Sequence, residues 1–119
     1  MQSQILVGRP SERGLPEAVL DGIYRFRHRV FRERLGWSVP SMGGRERDDF
    51  DDLDPVFIAA RAQDSRVTGT FRLLPTTGPY MLREVFPELL RGEAMPCASD
   101  VWELSRFAVE PTSPGSCVQ

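Results

Sequence analysis

Lysine is absent from this sequence, and all fifteen of its basic residues are arginine. This absence excludes a Schiff-base lysine and a phosphate-loop lysine from the chain. Histidine and cysteine are almost as scarce, because only His28, Cys97 and Cys117 occur. Three such residues are too few for a disulfide framework or a zinc site. A cysteine–histidine nucleophile pair stays formally open, but His28 falls in an arginine-rich stretch without an evident partner. We therefore predict no metal site.

Strong charge imbalance and long apolar runs are also missing. The formal net charge is -2, which indicates no general attraction to nucleic acid or to an anionic membrane. No apolar run approaches the roughly 20 residues that cross a bilayer, and the first residues lack the basic-then-apolar order of a signal peptide. The 119 residues suffice for one domain with a core. These features predict a cytoplasmic protein that binds neither membrane nor nucleic acid.

Hydrophobic spacing predicts the element order β-α-β-β-α-β. Four strands are predicted, at 4–7, 56–62, 66–74 and 101–109. The second and third of them read as an antiparallel hairpin across a short polar turn. Two helices are predicted, one over about 16–34 and a short one over 80–90 that Pro87 interrupts. A long polar loop is expected between the first helix and the second strand, so the sequence predicts an α+β sheet with helices against it.

Three charged residues interrupt apolar β-runs, namely Arg72, Glu103 and Arg106. Buried charge is costly unless it is paired or used. Either these residues lie on the solvated face of an edge strand, or the strands carry chemistry. The residues alone leave both interpretations open.

The long loop contains the acidic run RERDDFDDLD at 45–54. Its spacing does not match the calcium loop of an EF-hand. The run is either a solvated loop, or some of its carboxylates face inward and pair with Arg27, Arg72 or Arg106. The embedded Phe50 favours the second interpretation, because an aromatic side chain indicates that part of the loop packs down.

The first helix carries five arginines, and an amphipathic helix with a solvated basic face accounts for most of them. Arg27 and Phe31 lie one turn apart, so a guanidinium and an aromatic ring could line one pocket. Trp37, just beyond the helix, is either a core anchor or the wall of a site for a cationic ligand. Sequence physics leaves these interpretations about even.

Four blocks of the chain, in this order, resemble the acyl-homoserine-lactone synthases, the LuxI-type autoinducer synthases of bacterial quorum sensing. The blocks are FRHRVFRERLGW at 26–37, ERDDFDDLDPVFIAA at 46–60, GTFRLLPTTGPYML at 69–82 and WELSRFAV at 102–109. The resemblance implies a GNAT-like fold, a twisted mixed β-sheet flanked by helices, over residues 1–109, followed by an irregular tail at 110–119. Members of that family usually continue with further strands and helices, so we expect a fold truncated after the central strands.

The resemblance also implies a reaction. An acyl group passes from acyl carrier protein, or from coenzyme A in some members, to the amine of S-adenosylmethionine, and lactone closure then releases methylthioadenosine. S-adenosylmethionine is a substrate, and no cofactor is implied. A carboxylate would remove the ammonium proton, and backbone N–H groups beside a bulged strand would stabilise the oxyanion. No enzyme nucleophile is needed for closure, because the sulfonium departs as a neutral thioether.

Position by position, the family's characteristic residues fall on nine positions of this chain. Those implied to act in catalysis or to shape the site are Glu103, Arg106, Arg72, Asp48 and Asp51. Those implied to bind S-adenosylmethionine are Arg27, Phe31, Trp37 and, as a weaker match, Glu46. Within this set we predict Glu103 as the general base, acting directly or through water. We also predict an ion-pair network of the two aspartates with Arg72 and Arg106.

Two other functions stay open on the sequence. One is an N-acetyltransferase that uses acetyl-coenzyme A, although the glycine-rich pyrophosphate loop of such enzymes is not found in the chain. The other is a non-catalytic remnant that binds S-adenosylmethionine or acyl carrier protein.

Overall fold

The computed structural model describes residues 4–12 and 14–110. The strands are β1 (Gln4–Gly8), β2 (Ser41–Met42), β3 (Arg45–Glu46), β4 (Val56–Arg61), β5 (Val67–Pro75) and β6 (Trp102–Val109). The α-helices are α1 (Glu17–Arg27) and α2 (Met81–Glu84). The other helical segments are a π-helix (His28–Arg34) and two 3-10 helices (Asp49–Leu53 and Pro87–Leu90). None of the helices in this part of the chain is long and apolar enough to cross a membrane.

The main sheet has the order β1-β4-β5-β6, and its three strand pairs are antiparallel. The predicted hairpin is confirmed, with Val56 opposite Leu73 in the β4–β5 pair. The predicted α+β arrangement of a sheet with helices is likewise present. Parallel pairs, which a mixed sheet also contains, do not occur among residues 4–12 and 14–110. Residues 111–119 of the predicted tail lie outside the described residues.

Helix α1 covers one face of the sheet because its apolar residues recur at helical spacing. Val19, Ile23 and Phe26 are buried and share one core cluster with Phe57 of β4 and Val67 of β5. Burying each large apolar side chain contributes roughly 1.5–3 kcal/mol. The helix lies so close to the sheet that a Cβ on Gly22 would come within 2.9 Å of the Val67 side chain. Glycine at this position therefore sets the distance between helix and sheet.

The other face of the sheet stays uncovered in the described part of the chain. Alternate residues of the strands project apolar side chains there, and Ile5, Phe107 and Val109 are more than half exposed. A shallow apolar groove of about 140 Å³ crosses this face between β1 and β6. Strand β6 is the edge of the sheet as described, and apolar side chains are exposed along it.

The predicted helix over 16–34 forms, but its second half is a π-helix rather than an α-helix. The Leu35 N–H donates to the Val30 carbonyl at 2.9 Å, and the Trp37 N–H donates to the Phe31 carbonyl at 2.7 Å. These wide turns bring the Trp37 ring onto the Phe31 ring, with centroids 5.0 Å apart. Such π-helical turns are rare and occur frequently at functional sites.

The predicted polar loop before β4 has more regular structure than expected. Strands β2 and β3 form a small hairpin whose turn residues, Gly43 and Gly44, both have positive φ. A 3-10 helix follows, and its first turn is held by a capping box between Asp48 and Asp51. Glycine pairs favour such tight hairpin turns, and aspartate favours caps, so the local chemistry explains both elements.

Candidate functional site

The predicted site residues come from six separate elements and the residues next to them, and they lie together beside the inner face of the sheet. They occupy the end of α1, the π-helix, β3, the 3-10 helix and the strands β5 and β6. The hydrogen bonds among them cross up to 60 positions of sequence. The fold, rather than local sequence, therefore assembles the cluster.

Arg27 is fully buried and pairs with two carboxylates. Its Nε and Nη2 donate to Glu46 at 2.8 and 3.1 Å, and its Nη1 and Nη2 donate to Asp51 at 2.8 and 2.9 Å. Burial alone would lower the pKa of Arg27, but its hydrogen bonds and charge interactions with Asp51 and Glu46 raise that pKa above its ordinary value. Direct binding of a substrate by Arg27 or Glu46, as predicted from the resemblance, does not fit this geometry. Both side chains are buried and already paired.

Arg72 is also fully buried and crosses from β5 to the acidic 3-10 helix. Its Nη1 donates to Asp48 at 2.6 Å and to Asp51 at 3.0 Å. Its Nε donates to the Ser105 hydroxyl at 3.1 Å, and its Nη2 to the Met81 sulfur at 3.2 Å. The predicted inward pairing of the acidic run is therefore observed for Arg72.

Arg106 closes the network from β6. Its Nε donates to Glu46 Oε1 at 3.1 Å, and its Nη2 lies 3.2 Å from Asp48 Oδ2. A β-bulge places Arg106 and Phe107 opposite the single Phe71 of β5. Arg106 has a left-handed backbone with φ +54°, which costs about 1–3 kcal/mol in a residue with a side chain. The paired guanidinium holds the residue in this conformation.

The cluster is electrically balanced. Three guanidinium groups face three carboxylates, and the pairs are Arg27 with Glu46 and Asp51, Arg72 with Asp48 and Asp51, and Arg106 with Glu46 and Asp48. Burial alone would raise the pKa of Asp51, but the hydrogen bond from Arg27 and the charges of Arg27 and Arg72 lower it from 3.8 to about 2. Removing one member would leave a buried charge without its partner. The network is therefore a rigid support for the groups at its surface.

The two predicted aromatic residues have different surroundings. Phe31 is buried and lies between neighbours, with its ring stacked on Trp37 and the Arg106 guanidinium 5.7 Å from its centroid. Trp37 is 48% exposed and lines an open pocket. Trp37 can therefore offer a ring face to a ligand, while Phe31 supports it from below.

Glu103 accepts two backbone hydrogen bonds. Its Oε1 accepts from the Met81 N–H at 2.8 Å, and its Oε2 accepts from the Leu82 N–H at 2.7 Å. The carboxylate thus caps the first turn of α2, whose own N-cap residue Tyr80 makes no side-chain cap hydrogen bond. Sequence reasoning missed this contact, because the two elements are more than twenty positions apart.

An open pocket of about 700 Å³ lies beside the network. It is bounded by the segment that follows the π-helix, by α2 and by β6, and its wall includes Trp37, Glu103 and Arg106. Ser105 and Met81 also line it, although neither was predicted as a site residue. Their only signal in the sequence is their position within the blocks at 69–82 and 102–109.

Comparison with known proteins agrees with this arrangement. The model of the autoinducer synthase family matches residues 12–114. The acyl-homoserine-lactone synthase of Acinetobacter nosocomialis is 44% identical over 99 residues, which cover 79% of this chain and 54% of the relative.

Two solved structures are similar in fold. The crystal structure of the AHL synthase LasI superposes with a TM-score of 0.85 at 38% identity, over 99% of this chain and 58% of that one. The CoA-dependent acyl-homoserine lactone synthase BjaI, solved with SAM and isopentyl-CoA, gives a TM-score of 0.81 at 38% identity, over 91% and 51% of the two chains. This chain thus spans about half the length of the proteins it matches. With a family match over residues 12–114 and this agreement in fold, the chain belongs to the autoinducer synthase family.

Proposed function

We propose that this chain forms the S-adenosylmethionine side of an acyl-homoserine-lactone synthase. In the proposed reaction the amine of S-adenosylmethionine takes an acyl group from a thioester, and the product closes to a lactone with release of methylthioadenosine. One observation carries the proposal above the others. Trp37, Glu103 and Arg106 line a single pocket, and these three side chains match the three charges of the substrate.

Each charged group of S-adenosylmethionine has a chemically suitable partner in this pocket. The sulfonium suits the exposed face of Trp37, because cations are attracted to aromatic rings. The carboxylate suits Arg106, whose Nη1 has only a weak contact of 3.9 Å to the Met81 sulfur among the described residues. The ammonium suits Glu103, which can remove its proton directly or through a water molecule.

The acyl transfer then follows from general chemistry. Loss of a proton gives the amine a lone pair, which attacks the thioester carbonyl, and the thiol leaves. The developing oxyanion needs preorganised donors. A bulge leaves backbone groups outside the regular ladder, so the bulge at Arg106 and Phe107 is the proposed source of these donors. In the closure step the substrate carboxylate attacks the carbon next to sulfur, and methylthioadenosine departs as a neutral thioether.

The acyl donor of this chain is part of the proposal. We infer a thioester carried by acyl carrier protein, with coenzyme A as the alternative carrier. The relative BjaI, a CoA-dependent synthase solved with isopentyl-CoA, supports coenzyme A as the carrier in that relative. Incubation with the same acyl group on each carrier, followed by mass spectrometry of the lactone, distinguishes the two donors.

A second function is favoured by one observation, the two backbone N–H groups that already occupy the Glu103 carboxylate. In that alternative the chain binds S-adenosylmethionine without turnover. Calorimetry with S-adenosylmethionine tests binding, and mass spectrometry for N-acyl-homoserine lactone tests turnover. Binding with lactone formation supports the synthase, whereas binding without it supports the alternative.

Glu103→Gln tests the proposed base, with Glu88→Gln as the matched control on an exposed 3-10 helix. We expect lactone formation to fall by about 100-fold or more in the Glu103 variant and to stay unchanged in the control. Equal rates in Glu103→Gln and wild type would remove Glu103 as the base. Absence of any binding of S-adenosylmethionine by the wild-type chain would overturn the proposed function itself.

A further inference from the structure

Met81 contacts three charged residues of the site at once. Its sulfur lies 3.2 Å from Arg72 Nη2 and 3.9 Å from Arg106 Nη1. Its backbone N–H donates to Glu103 Oε1 at 2.8 Å. Met81 is the first residue of α2 and lines the same pocket as Glu103 and Arg106. One uncharged side chain therefore lies where two guanidinium groups and the candidate base meet.

The Met81 sulfur supplies an acceptor to the buried guanidinium of Arg72. The Arg72 side chain is fully buried, so its Nη2 donor has no access to bulk water. Among the described residues the Met81 sulfur is the acceptor for that nitrogen. A thioether is a weak but polarizable acceptor, and it can hold the guanidinium edge in one orientation.

The absence of charge on Met81 matters equally. The three carboxylates of the network already balance its three guanidinium groups. A further carboxylate at position 81 would pair with Arg106 Nη1 and occupy the donor that we assign to the substrate. A purely aliphatic side chain would leave the buried Arg72 donor without an acceptor, which is unfavourable. A thioether meets both requirements, since it accepts weakly and is displaced easily by an anion.

We propose that Met81 is a positioning residue, whose thioether orients Arg72 and Arg106 at the pocket wall and contacts Arg106 Nη1 so weakly that an anionic group of the substrate can replace it. The assignment to a substrate anion rests on the proposed function. The orientation of the two guanidinium groups is a property of the free protein and is measurable without any ligand.

Three variants separate acceptor chemistry from packing. Met81→Leu keeps apolar volume but removes sulfur, and Met81→Gln keeps the length and offers an amide oxygen as acceptor. Met42→Leu is the matched control, because Met42 is 86% exposed on the β2–β3 hairpin. If Met81→Leu does not fold, biosynthetic replacement of methionine by norleucine removes sulfur without adding a branch.

The first measurement is the arginine side-chain NMR spectrum of the 119-residue chain without ligand. We expect the Nε–H signals of Arg72 and Arg106 to shift and to exchange faster in Met81→Leu, and to return towards wild type in Met81→Gln. The second measurement is calorimetry with S-adenosylmethionine. We expect about three- to tenfold weaker binding in Met81→Leu and near-wild-type binding in Met81→Gln and Met42→Leu.

The outcomes are distinct. Unchanged arginine signals in Met81→Leu, or equal changes in the leucine and glutamine variants, would overturn the proposal, because either result indicates packing alone. Altered signals restored by glutamine support the orienting role even if S-adenosylmethionine does not bind. In that case it is the proposed function that fails.

Discussion

Asp51→Asn perturbs the ion-pair network at its most connected carboxylate. Asp51 accepts hydrogen bonds from Arg27, Arg72 and the backbone of Asp48. Its pKa is lowered from 3.8 to about 2, and a tenfold change in proton affinity corresponds to about 1.4 kcal/mol. The ionised carboxylate therefore contributes about 2 to 2.5 kcal/mol to the stability of the folded chain. Replacement by asparagine also leaves buried guanidinium charge unpaired, so we expect a loss of about 3–5 kcal/mol.

The pH dependence has a defined sign. A carboxyl group whose folded pKa is lowered stabilises the protein fully above its unfolded pKa, and this contribution is lost as the pH falls through the folded pKa. For Asp51 the window runs from about pH 4 down to about pH 2. Urea unfolding followed by circular dichroism should show wild-type stability falling across this window. The Asp51→Asn variant should start lower at pH 7 and decline less steeply.

Asp52→Asn is the matched control for this experiment. Asp52 is the neighbouring aspartate, but it is exposed and pairs with Arg47 at the surface, where an ion pair is worth about 0–1 kcal/mol. Equal stabilities of Asp51→Asn and Asp52→Asn at pH 7 would refute the reasoning. So would an Asp51→Asn variant that loses stability with acid as steeply as wild type.

Three further predictions concern the pocket and the uncovered sheet face. Arg106→Lys keeps the charge but loses the planar fork on Glu46, so calorimetry should show about tenfold weaker binding of S-adenosylmethionine, and unchanged affinity would contradict the role of Arg106. Trp37→Leu should weaken that binding by about 3- to 30-fold through loss of the cation–π contact. The melting temperature of the Trp37→Leu variant should stay near that of wild type, since Trp37 is half exposed. Phe107 is 58% exposed on the uncovered apolar face of the sheet. Phe107→Ser should therefore reduce the fluorescence of an apolar dye added to the protein, and it should reduce light scattering when the protein is concentrated. A brighter dye signal in this variant would argue against that face as the surface that binds the dye.

Much of the fold was predictable because its signals are local. The strands at 56–62 and 66–74 and the helix over 16–34 follow from hydrophobic spacing, and each forms within about two residues of its expected bounds. The π-helical turn was not predictable in this way. A π-turn adds less than one residue to the helical period, and over seven residues the same apolar positions fit both helix types.

For the site, too, local sequence signals predicted some residues, whereas contacts between distant elements determined the placement of others. Charges that interrupt apolar strands pointed to Arg72 and Arg106, and the structure pairs both with carboxylates of the acidic run. Whether a given side chain faces the pocket or lies beneath it depends on contacts between distant elements. Arg27 illustrates the difference. Its spacing to Phe31 suggested that it lines a pocket, whereas the structure buries it with four hydrogen bonds to Glu46 and Asp51.

The cap that Glu103 forms changes how its substitution must be interpreted. Glutamine has one oxygen and one NH₂ group, so it can accept from only one of the two N–H donors of Met81 and Leu82, and its NH₂ group would face the other. A Glu103→Gln variant therefore loosens the first turn of α2 as well as removing the candidate base. Hydrogen exchange of the two amides reports the loosening independently of chemistry. Loss of lactone formation supports the base only if S-adenosylmethionine still binds and these amides exchange no more than about tenfold faster, equivalent to about 1.4 kcal/mol of local stability. Faster exchange together with lost binding would assign the effect to the pocket wall instead.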